Sequence, residues 1–294
     1  MTEAADQRTL IVADRERGVL SVAGPDRATW LNGIVTCDTS KVSVSEGVYG
    51  LLLNKLGKIQ TDLDIIEADG VLLLGLAPSR AEPTRAALDR MLVMEDAEVA
   101  DRSAELGCIR VHGPQASELA AAVRDGVRGH GRIDWTGVGG ELVVVERARY
   151  QDVVERLVEL GGELATADSW RRLRTEQLFP EFGVDYDEQD NPHEAALEQR
   201  AVSFDKGCYL GQEVVCMQDM RGRVKRRLVG LRLDGSSEPS ANVEAGGEVV
   251  GELRTVSGGE PVLALARVRA PHFETGTALE VGGVRATVFG APRS

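Results

Sequence analysis

Short apolar runs alternate with amphipathic segments along the chain up to residue 226. Continuous or period-two apolar character predicts strands at residues 10–13, 19–23, 48–53, 58–67, 71–76 and 140–146. Apolar positions three and four residues apart predict helices at residues 28–34, 81–93, 117–123, 151–160 and 168–178. Residues 1–226 are therefore predicted to form a mixed α+β body.

One pattern occurs twice within this body. A strand runs into Gly24-Pro25 and then a helix, and a second strand runs into Gly113-Pro114 and then a helix. Proline suits the first turn of a helix because its fixed φ matches the helical value. The repetition predicts two related, intertwined ββα-type units.

The pattern of apolar and polar residues changes after Arg227. Alternating segments at residues 228–233, 248–255, 262–268 and 278–288 are separated by Gly-Gly pairs at 246–247, 258–259 and 282–283. Short alternating strands with glycine-rich turns are typical of small barrels. Residues 227–294 are therefore predicted to be a separate C-terminal β-barrel domain.

Composition narrows the function classes. The chain has 294 residues, 43% of them hydrophobic, and a net charge of −13. That charge disfavours direct nucleic-acid binding, which depends on cations that neutralise phosphates. The chain contains no apolar run of about 18 residues, so we expect no membrane-spanning helix. The acidic N-terminal residues are unlike a secretory signal, and we expect a cytoplasmic protein.

The four cysteines are widely scattered, at positions 37, 108, 208 and 216. They form no C-x-x-C pair and no Cys/His metal spacing, so we expect neither a resident metal nor a disulfide framework. This leaves room for a single functional thiol.

The segment from Lys206 to Glu213 reads K-G-C-Y-L-G-Q-E. Gly207 and Gly211 lack a Cβ, so the backbone can turn sharply or approach a ligand closely there. A nearby ammonium group, as on Lys206, favours the thiolate form of a cysteine such as Cys208. The alternative is a tight turn around a buried cysteine.

This segment resembles the signature K-G-C-Y-x-G-Q-E of the YgfZ family, folate-binding relatives of the glycine-cleavage T-protein that assist iron–sulfur enzymes. The resemblance implies the T-protein (GcvT-like) folate-binding fold, α+β, with ferredoxin-like ββα units and a C-terminal β-barrel. It also implies tetrahydrofolate or a derivative as the cofactor, and iron–sulfur client or assembly proteins as partners. Cys208 would be the functional thiol, with Lys206 beside it.

A second segment, residues 54–64, carries paired acidic residues. On a strand, Asp62 and Asp64 point to one face, which would be the solvent-facing side of an antiparallel sheet if the pattern is purely structural. The segment is also similar to the T-protein strand whose acidic residue faces tetrahydrofolate, and Asp62 falls at that position. Thr61 replaces a flanking aspartate of the T-protein pattern.

A third segment, residues 174–185, resembles a T-protein run in which a glutamate holds the pterin, and Glu176 falls at that position. A single carboxylate can accept hydrogen bonds from both the 2-amino group and the neighbouring ring N–H of a pterin. The alternative is an ion pair with Arg172, one helical turn back. The resemblance completes the predicted folate-binding set with Lys55, Gly207, Tyr209, Gly211 and Arg223.

A basic cluster lies between the body and the barrel, at Arg221, Arg223, Lys225, Arg226 and Arg227. If it is structural, alternation would place Arg223, Lys225 and Arg227 on a water-exposed strand face. If it is functional, the cluster would attract the carboxylates of a folate glutamate tail or of an acidic partner protein.

Three functions fit these features. The first is a tetrahydrofolate-binding accessory protein for iron–sulfur cluster assembly or repair, with or without catalytic turnover. The alternative is a tetrahydrofolate-dependent aminomethyltransferase like the T-protein, which Glu176 favours and which Thr61 and the cysteine motif disfavour. The third is a folate-dependent demethylase or RNA-modifying enzyme, which the acidic charge disfavours. A link to tRNA modification would be indirect, through an iron–sulfur client.

Overall fold

The computed structural model describes residues 8–222, 224–238 and 241–290. The chain divides into two compact units. Unit 1 comprises the chain up to Leu52, Gln60–Thr166 and Asp205–Leu210. Unit 2 comprises Leu53–Ile59, Ala167–Phe204 and the chain from Gly211 onwards. In the described ranges, no helix combines the length and the apolar surface needed to cross a membrane.

The described residues of unit 1 form ten strands and four α-helices. The strands are β1 (Leu10–Val12), β2 (Gly18–Ala23), β3 (Val48–Leu53), β4 (Ile59–Ala68), β5 (Val71–Leu76), β6 (Glu98–Asp101), β7 (Leu106–His112), β8 (Val127–Arg132), β9 (Gly140–Glu146) and β10 (Glu163–Leu164). The helices are α1 (Arg27–Asn32), α2 (Ala81–Asp89), α3 (Ala116–Ala122) and α4 (Tyr150–Glu159). Most predicted elements of the body are confirmed within a few residues.

The strands of unit 1 form two five-stranded sheets, with the orders β3-β4-β5-β2-β6 and β10-β1-β7-β9-β8. In the first sheet β2 pairs antiparallel with β5 and β6, and β4 pairs antiparallel with β5. In the second sheet β7 pairs antiparallel with β1 and β9. Each Gly-Pro repeat leads into a helix of its own sheet layer, α1 for the first and α3 for the second.

Side chains that alternate along each strand point either to the helices that cover the sheet or to the other sheet of unit 1. Leu63 and Ile65 of β4 join the apolar core that includes Leu31 and Leu88 of α1 and α2. The second sheet has a matching core with α3 and α4. The opposite face of β4 meets the second sheet closely, because Gly131 of β8 has no Cβ. A Cβ there would lie 2.8 Å from Ile66 Cγ2.

In unit 2, the residues that the structure describes form a closed six-stranded barrel and three helices. The helices are α5 (Ala167–Glu176), α6 (Glu198–Ala201) and α7 (Gln212–Arg221). The barrel strands are β11 (Arg226–Leu233), β12 (Asn242–Ala245), β13 (Glu248–Ser257), β14 (Val262–Arg269), β15 (Ala278–Val281) and β16 (Val284–Gly290). They close in the order β11-β14-β13-β12-β15-β16, which confirms the predicted barrel. The predicted strand over 278–288 is two strands, because Gly282 and Gly283 turn the chain between them.

Buried ion pairs hold the irregular segment between α5 and α6. Asp185 is fully buried, and its Oδ2 accepts hydrogen bonds from Arg174 Nη1 at 2.7 Å and from the Glu181 N–H at 2.8 Å. Its Oδ1 accepts from the hydroxyl of Thr255 on β13 at 2.6 Å. A buried carboxylate needs such partners to offset its lost hydration. The segment is thereby fixed to the barrel within unit 2.

The structure corrects the prediction for residues 212–227. The sequence predicted a turn followed by a basic strand, whereas residues 212–221 form α7 and the strand begins at Arg226. Gly211 and Gly222 have left-handed backbone conformations, with φ of +81° and +56°, and they mark the two ends of this helix. The predicted division into 1–226 and 227–294 stays a prediction.

Candidate functional site

Asp62 and Asp64 lie on the same face of β4, and both are buried, with exposed fractions of 7% and 1%. The solvent-facing alternative is therefore wrong, because the second sheet of unit 1 covers this face. Asp64 Oδ2 accepts a hydrogen bond from Arg17 Nη2 at 2.6 Å. Asp62 Oδ2 accepts one from the hydroxyl of Tyr49 at 3.2 Å.

The Asp62 carboxyl is poised for a hydrogen-bond donor. Burial raises its pKa, and the charge of Arg17 opposes that shift in part. Its second oxygen, Oδ1, is buried and accepts no hydrogen bond from the residues that the structure describes. Leaving a buried acceptor without a partner costs free energy. A ligand N–H directed at Oδ1 would remove that cost.

Several residues around Asp62 were missed by the sequence analysis. Arg17 comes from the turn before β2 and Arg110 from β7, and both are buried. His112 packs against Trp135 with ring centroids 4.4 Å apart. Burial, aided by the charge of Arg110, lowers the pKa of His112 to about 3, so this imidazole is neutral at pH 7. No local motif marks these residues, because tertiary pairing brings them together.

Lys206 is held by the backbone of unit 1. Its Nζ donates to the carbonyl oxygens of Asn32 at 2.5 Å, Val35 at 2.7 Å and Cys37 at 2.6 Å. An ammonium group has three N–H donors, and each has one acceptor here. Burial lowers the pKa of Lys206, and Cys37 and Asp38 oppose that shift. This geometry favours a structural role over the predicted catalytic one.

Cys208 and Tyr209 occupy opposite environments. Cys208 is exposed, so the buried-cysteine alternative is wrong for it, whereas Cys37 and Cys108 are buried. Burial raises the pKa of both Cys37 and Cys108 to about 12, which keeps them as unreactive thiols at pH 7. Tyr209 is buried, and the Lys206 ammonium lies 5.3 Å from its ring centroid. Cys208 is thus the accessible thiol of the motif.

The two glycines of the cysteine motif, Gly207 and Gly211, differ in how much space surrounds them. A Cβ on Gly207 would meet nothing within 4 Å, and its φ lies outside the left-handed range. A Cβ on Gly211 would lie 2.6 Å from the carbonyl oxygen of Asn54. Asn54 also shapes its own turn, since its Oδ1 accepts from the N–H groups of Leu56 and Lys58. Lys55 is exposed at the tip of this turn.

Glu176 ends α5 in unit 2. Its Oε1 accepts from Arg172 Nε at 2.5 Å, so the ion-pair alternative is present in the structure. Arg172 Nη1 also donates to the carbonyl oxygens of Gly258 and Pro261, which fixes the guanidinium to the barrel. Glu176 Oε2 accepts no hydrogen bond from the described residues, and 40% of the side chain is exposed. The pair therefore orients Glu176 and leaves one oxygen for a ligand.

Two residues of the basic cluster, Arg226 and Arg227, are neutralised by ion pairs inside unit 2. Arg226 pairs with Glu194 at 3.1 Å and with Asp190 at 3.2 Å. Arg227 pairs with Glu198 at 2.5 Å and is mostly buried, so its predicted exposure is wrong. Arg221 and Lys225 are exposed, and Arg223 lies outside the described residues.

Two family models match the chain. The model described as the GCVT N-terminal domain matches residues 13–130, which include Asp62. The model described as the CAF17 C-terminal beta-barrel domain matches residues 225–292. The two matched segments are thus similar to a GCVT N-terminal domain and to a CAF17 C-terminal barrel.

Curated relatives and solved structures agree with this architecture. An aminomethyltransferase of Herpetosiphon aurantiacus is 28% identical, with 92% of this chain and 82% of the relative covered. A tRNA-modifying protein YgfZ of Colwellia psychrerythraea is 27% identical, with 76% and 71% covered. The glycine cleavage system aminomethyltransferase T from Bartonella henselae superposes with a TM-score of 0.81 at 18% identity, over 97% of this chain and 87% of that one. The predicted GcvT-like fold is confirmed.

Proposed function

We propose that this protein binds tetrahydrofolate and assists the assembly or repair of iron–sulfur clusters in client enzymes. The exposure of Cys208 carries the proposal. This thiol lies in an eight-residue motif that resembles the YgfZ signature, and it is accessible while Cys37 and Cys108 are buried. In this proposal Cys208 transiently engages a client or its cluster in the cytoplasm. An effect on tRNA modification would follow through the client.

The residues around Asp62 fit a reduced folate. Tetrahydrofolate, when bound, brings a pterin with ring N–H and amino donors and a position that carries one-carbon units. Asp62 has a buried oxygen without a partner among the described residues, which suits such a donor. The GCVT N-terminal model covers this residue. The match supports folate binding at Asp62.

Glu176 is the second proposed folate contact. Its Oε1 is engaged by Arg172, and its Oε2 is available to accept from a pterin amino group. Lys55, Gly207, Tyr209, Gly211 and Arg223 stay predictions as folate contacts. Gly211 is the N-cap residue of α7 and has a left-handed backbone conformation. Its substitution would therefore affect folding as well as any folate binding.

Complementation with Cys208→Ser tests the role of the thiol. In cells that lack the native gene, the wild-type protein should restore the activity of iron–sulfur enzymes, and Cys208→Ser should not. Cys216→Ser is the matched control, because Cys216 is partly buried on α7 and is outside the motif. If Cys208→Ser restores client activity as fully as the wild type, the thiol mechanism is wrong.

Calorimetric titration with tetrahydrofolate tests the cofactor separately. We expect binding by the wild type and by Cys208→Ala, and weaker binding by Asp62→Ala and Glu176→Ala. Glu118→Ala on α3 is the control, since this carboxylate is exposed and lies outside the proposed contacts. Equal binding by all variants would move the folate site elsewhere, and no binding by the wild type would remove folate from the proposal.

Tetrahydrofolate-dependent aminomethyl transfer is the second candidate. The similarity to curated aminomethyltransferases over about nine-tenths of the chain favours it. Incubation with an aminomethylated lipoyl carrier protein and tetrahydrofolate decides between the two functions. Formation of methylene-tetrahydrofolate that needs Asp62 and does not need Cys208 would establish the transferase.

A further inference from the structure

A cavity of about 590 Å³ lies between the two sheets of unit 1. It is lined by β2, β5 and β6 of the first sheet and by the ends of β7, β8 and β9 of the second. Pockets for small organic ligands typically measure about 300–1,000 Å³. Ala68 lines this cavity and lies on the same face of β4 as Asp62, six residues along the strand. At about 3.4 Å per residue the two positions are about 20 Å apart, so the cavity is distinct from the Asp62 cluster.

The floor of the cavity is made of small apolar side chains with one hydroxyl at its centre. Strand pairing places Leu73, Ser21 and Ala100 side by side across β5, β2 and β6. Ala23 and Ala68 extend the same surface. Because three of these side chains are alanines, space remains above the sheet. The floor can therefore cover the apolar body of a ligand.

Ser21 is the polar group of this floor. Its side chain is 8% exposed, and its hydroxyl makes no hydrogen bond with the residues that the structure describes. The residue is buried, but its hydroxyl oxygen still reaches the surface of the cavity, where water can hydrate it. A polar atom of a ligand in the cavity could replace that water as the partner of the Ser21 hydroxyl.

The rim of the cavity is charged and predominantly acidic. Two guanidinium groups line it, and so do four carboxylates, Asp69, Glu98, Glu105 and Glu146. Arg128 is shared between Asp69 at 2.9 Å and Glu146 at 3.6 Å, and Arg102 pairs with Glu105. Glu98 is exposed and has no ion pair in the described part of the chain. The rim thus has a formal net charge of −2, which favours a cation.

We infer that this cavity binds a small amphipathic organic amine. Its apolar body lies on the alanine floor, a hydroxyl or similar polar group meets Ser21, and its ammonium group lies among the rim carboxylates beside Glu98. The ion pairs of the rim are exposed and individually weak, so they rearrange at little cost when the ligand enters. Folate binding at Asp62 is independent of this site.

Three probes of matched shape test the charge preference: tyramine, tyrosol and 4-hydroxyphenylacetate, which differ in carrying an ammonium, a hydroxyl and a carboxylate. Titration of the full-length protein, followed by ¹H–¹⁵N NMR, should shift amides of β2, β5 and β6. We expect tyramine to bind about fivefold more tightly than tyrosol, and 4-hydroxyphenylacetate to bind most weakly.

Three variants separate the parts of the site. Glu98→Gln should weaken tyramine to the level of tyrosol, whereas Glu118→Gln, an exposed carboxylate on α3, should change nothing. Ser21→Ala should weaken all three probes alike. Ala100→Leu should fill the floor and abolish binding.

Equal affinity for all three probes, a stronger response to 4-hydroxyphenylacetate, or amide shifts away from these strands would overturn the inference. So would an unchanged response in Glu98→Gln. Because Glu98 is exposed, we expect Glu98→Gln to fold normally, so the inference can still be tested if Ala100→Leu fails to fold.

Discussion

Arg17 and Asp64 form a buried ion pair between the sheets of unit 1, with Nη2 2.6 Å from Oδ2 and exposed fractions of 7% and 2% for the two side chains. Burial lowers the pKa of Arg17, but the attraction of the nearby acidic groups, Asp64 first and Asp62 next, outweighs burial, and the net pKa is raised. The guanidinium therefore stays charged. It neutralises Asp64 and leaves Asp62 without an ion-pair partner of its own.

Removal of one partner from this pair should be strongly destabilising. Arg17→Met leaves Asp64 buried without a counter-charge, and we expect the free energy of unfolding to fall by about 3–5 kcal/mol. Arg85→Met is the control, because Arg85 pairs with Glu82 on an exposed face of α2, where water screens the pair, and its removal should change the free energy of unfolding little. Urea unfolding measures both values. A loss for Arg17→Met no larger than that for Arg85→Met would show that the pair is not what stabilises this layer.

Asp62 should make stability depend on pH in an unusual direction for an aspartate. Burial raises its folded-state pKa above the ordinary value of 3.8, so the folded state binds this proton more tightly than the unfolded state does. As pH rises from 3.8 through the folded-state pKa, the contribution of Asp62 to stability therefore falls. Asp62→Asn cannot ionise, and its stability relative to the wild type should increase over the same interval.

Urea unfolding of the wild type and Asp62→Asn at a series of pH values measures this difference. Tyr49→Phe provides the internal control. The Tyr49 hydroxyl donates to Asp62 and favours its ionised form, so its removal should move the interval to higher pH. A difference between wild type and Asp62→Asn that stays constant with pH, or shrinks as pH rises, contradicts the raised pKa.

The local features of this fold were readable from the sequence. Alternation placed Asp62 and Asp64 on one face of β4 and Leu63 and Ile65 on the other, and the structure has that arrangement. The barrel followed from its short alternating strands and Gly-Gly turns. Such patterns report which side chains share a face. They do not report what covers that face, so the burial of the acidic face was missed.

Most features that the sequence did not predict depend on contacts between residues far apart in the chain. The carbonyl acceptors of Lys206 lie 169 to 174 residues earlier in the chain. No spacing within the K-G-C-Y-L-G-Q-E motif indicates them. Helix α7 was missed for a local reason, because Gly211 suggests a turn and here precedes a helix. The Glu176–Arg172 pair was foreseen as an alternative, since it depends on helical spacing alone.

Lys206 should be needed for folding more than for chemistry. Lys206→Met removes three charge-assisted hydrogen bonds and leaves three carbonyl oxygens without that donor, and we expect a loss of about 2–4 kcal/mol in unfolding free energy. Lys41→Met, an exposed lysine of the same unit, is the control. Chemical denaturation measures the loss. If Lys206→Met keeps wild-type stability and loses client activity, the predicted catalytic role is correct.

The two glycines of the cysteine motif should respond differently to alanine. Gly211 has a φ of +81°, and an added Cβ would lie 2.6 Å from the Asn54 carbonyl oxygen. Gly211→Ala should therefore cost about 1–3 kcal/mol in unfolding free energy. Gly207 has open space and an ordinary φ, so Gly207→Ala should leave stability unchanged. Thermal and urea unfolding of the two variants measure this contrast.

The activity of Gly207→Ala tests a second point, because this variant is expected to be structurally neutral. A loss of client activity would assign Gly207 to recognition beside Cys208. Retained activity would show that the motif requires glycine only at the turn at Gly211. Equal stability of both variants would show that the chain relaxes around Gly211, and the start of α7 would then tolerate a side chain.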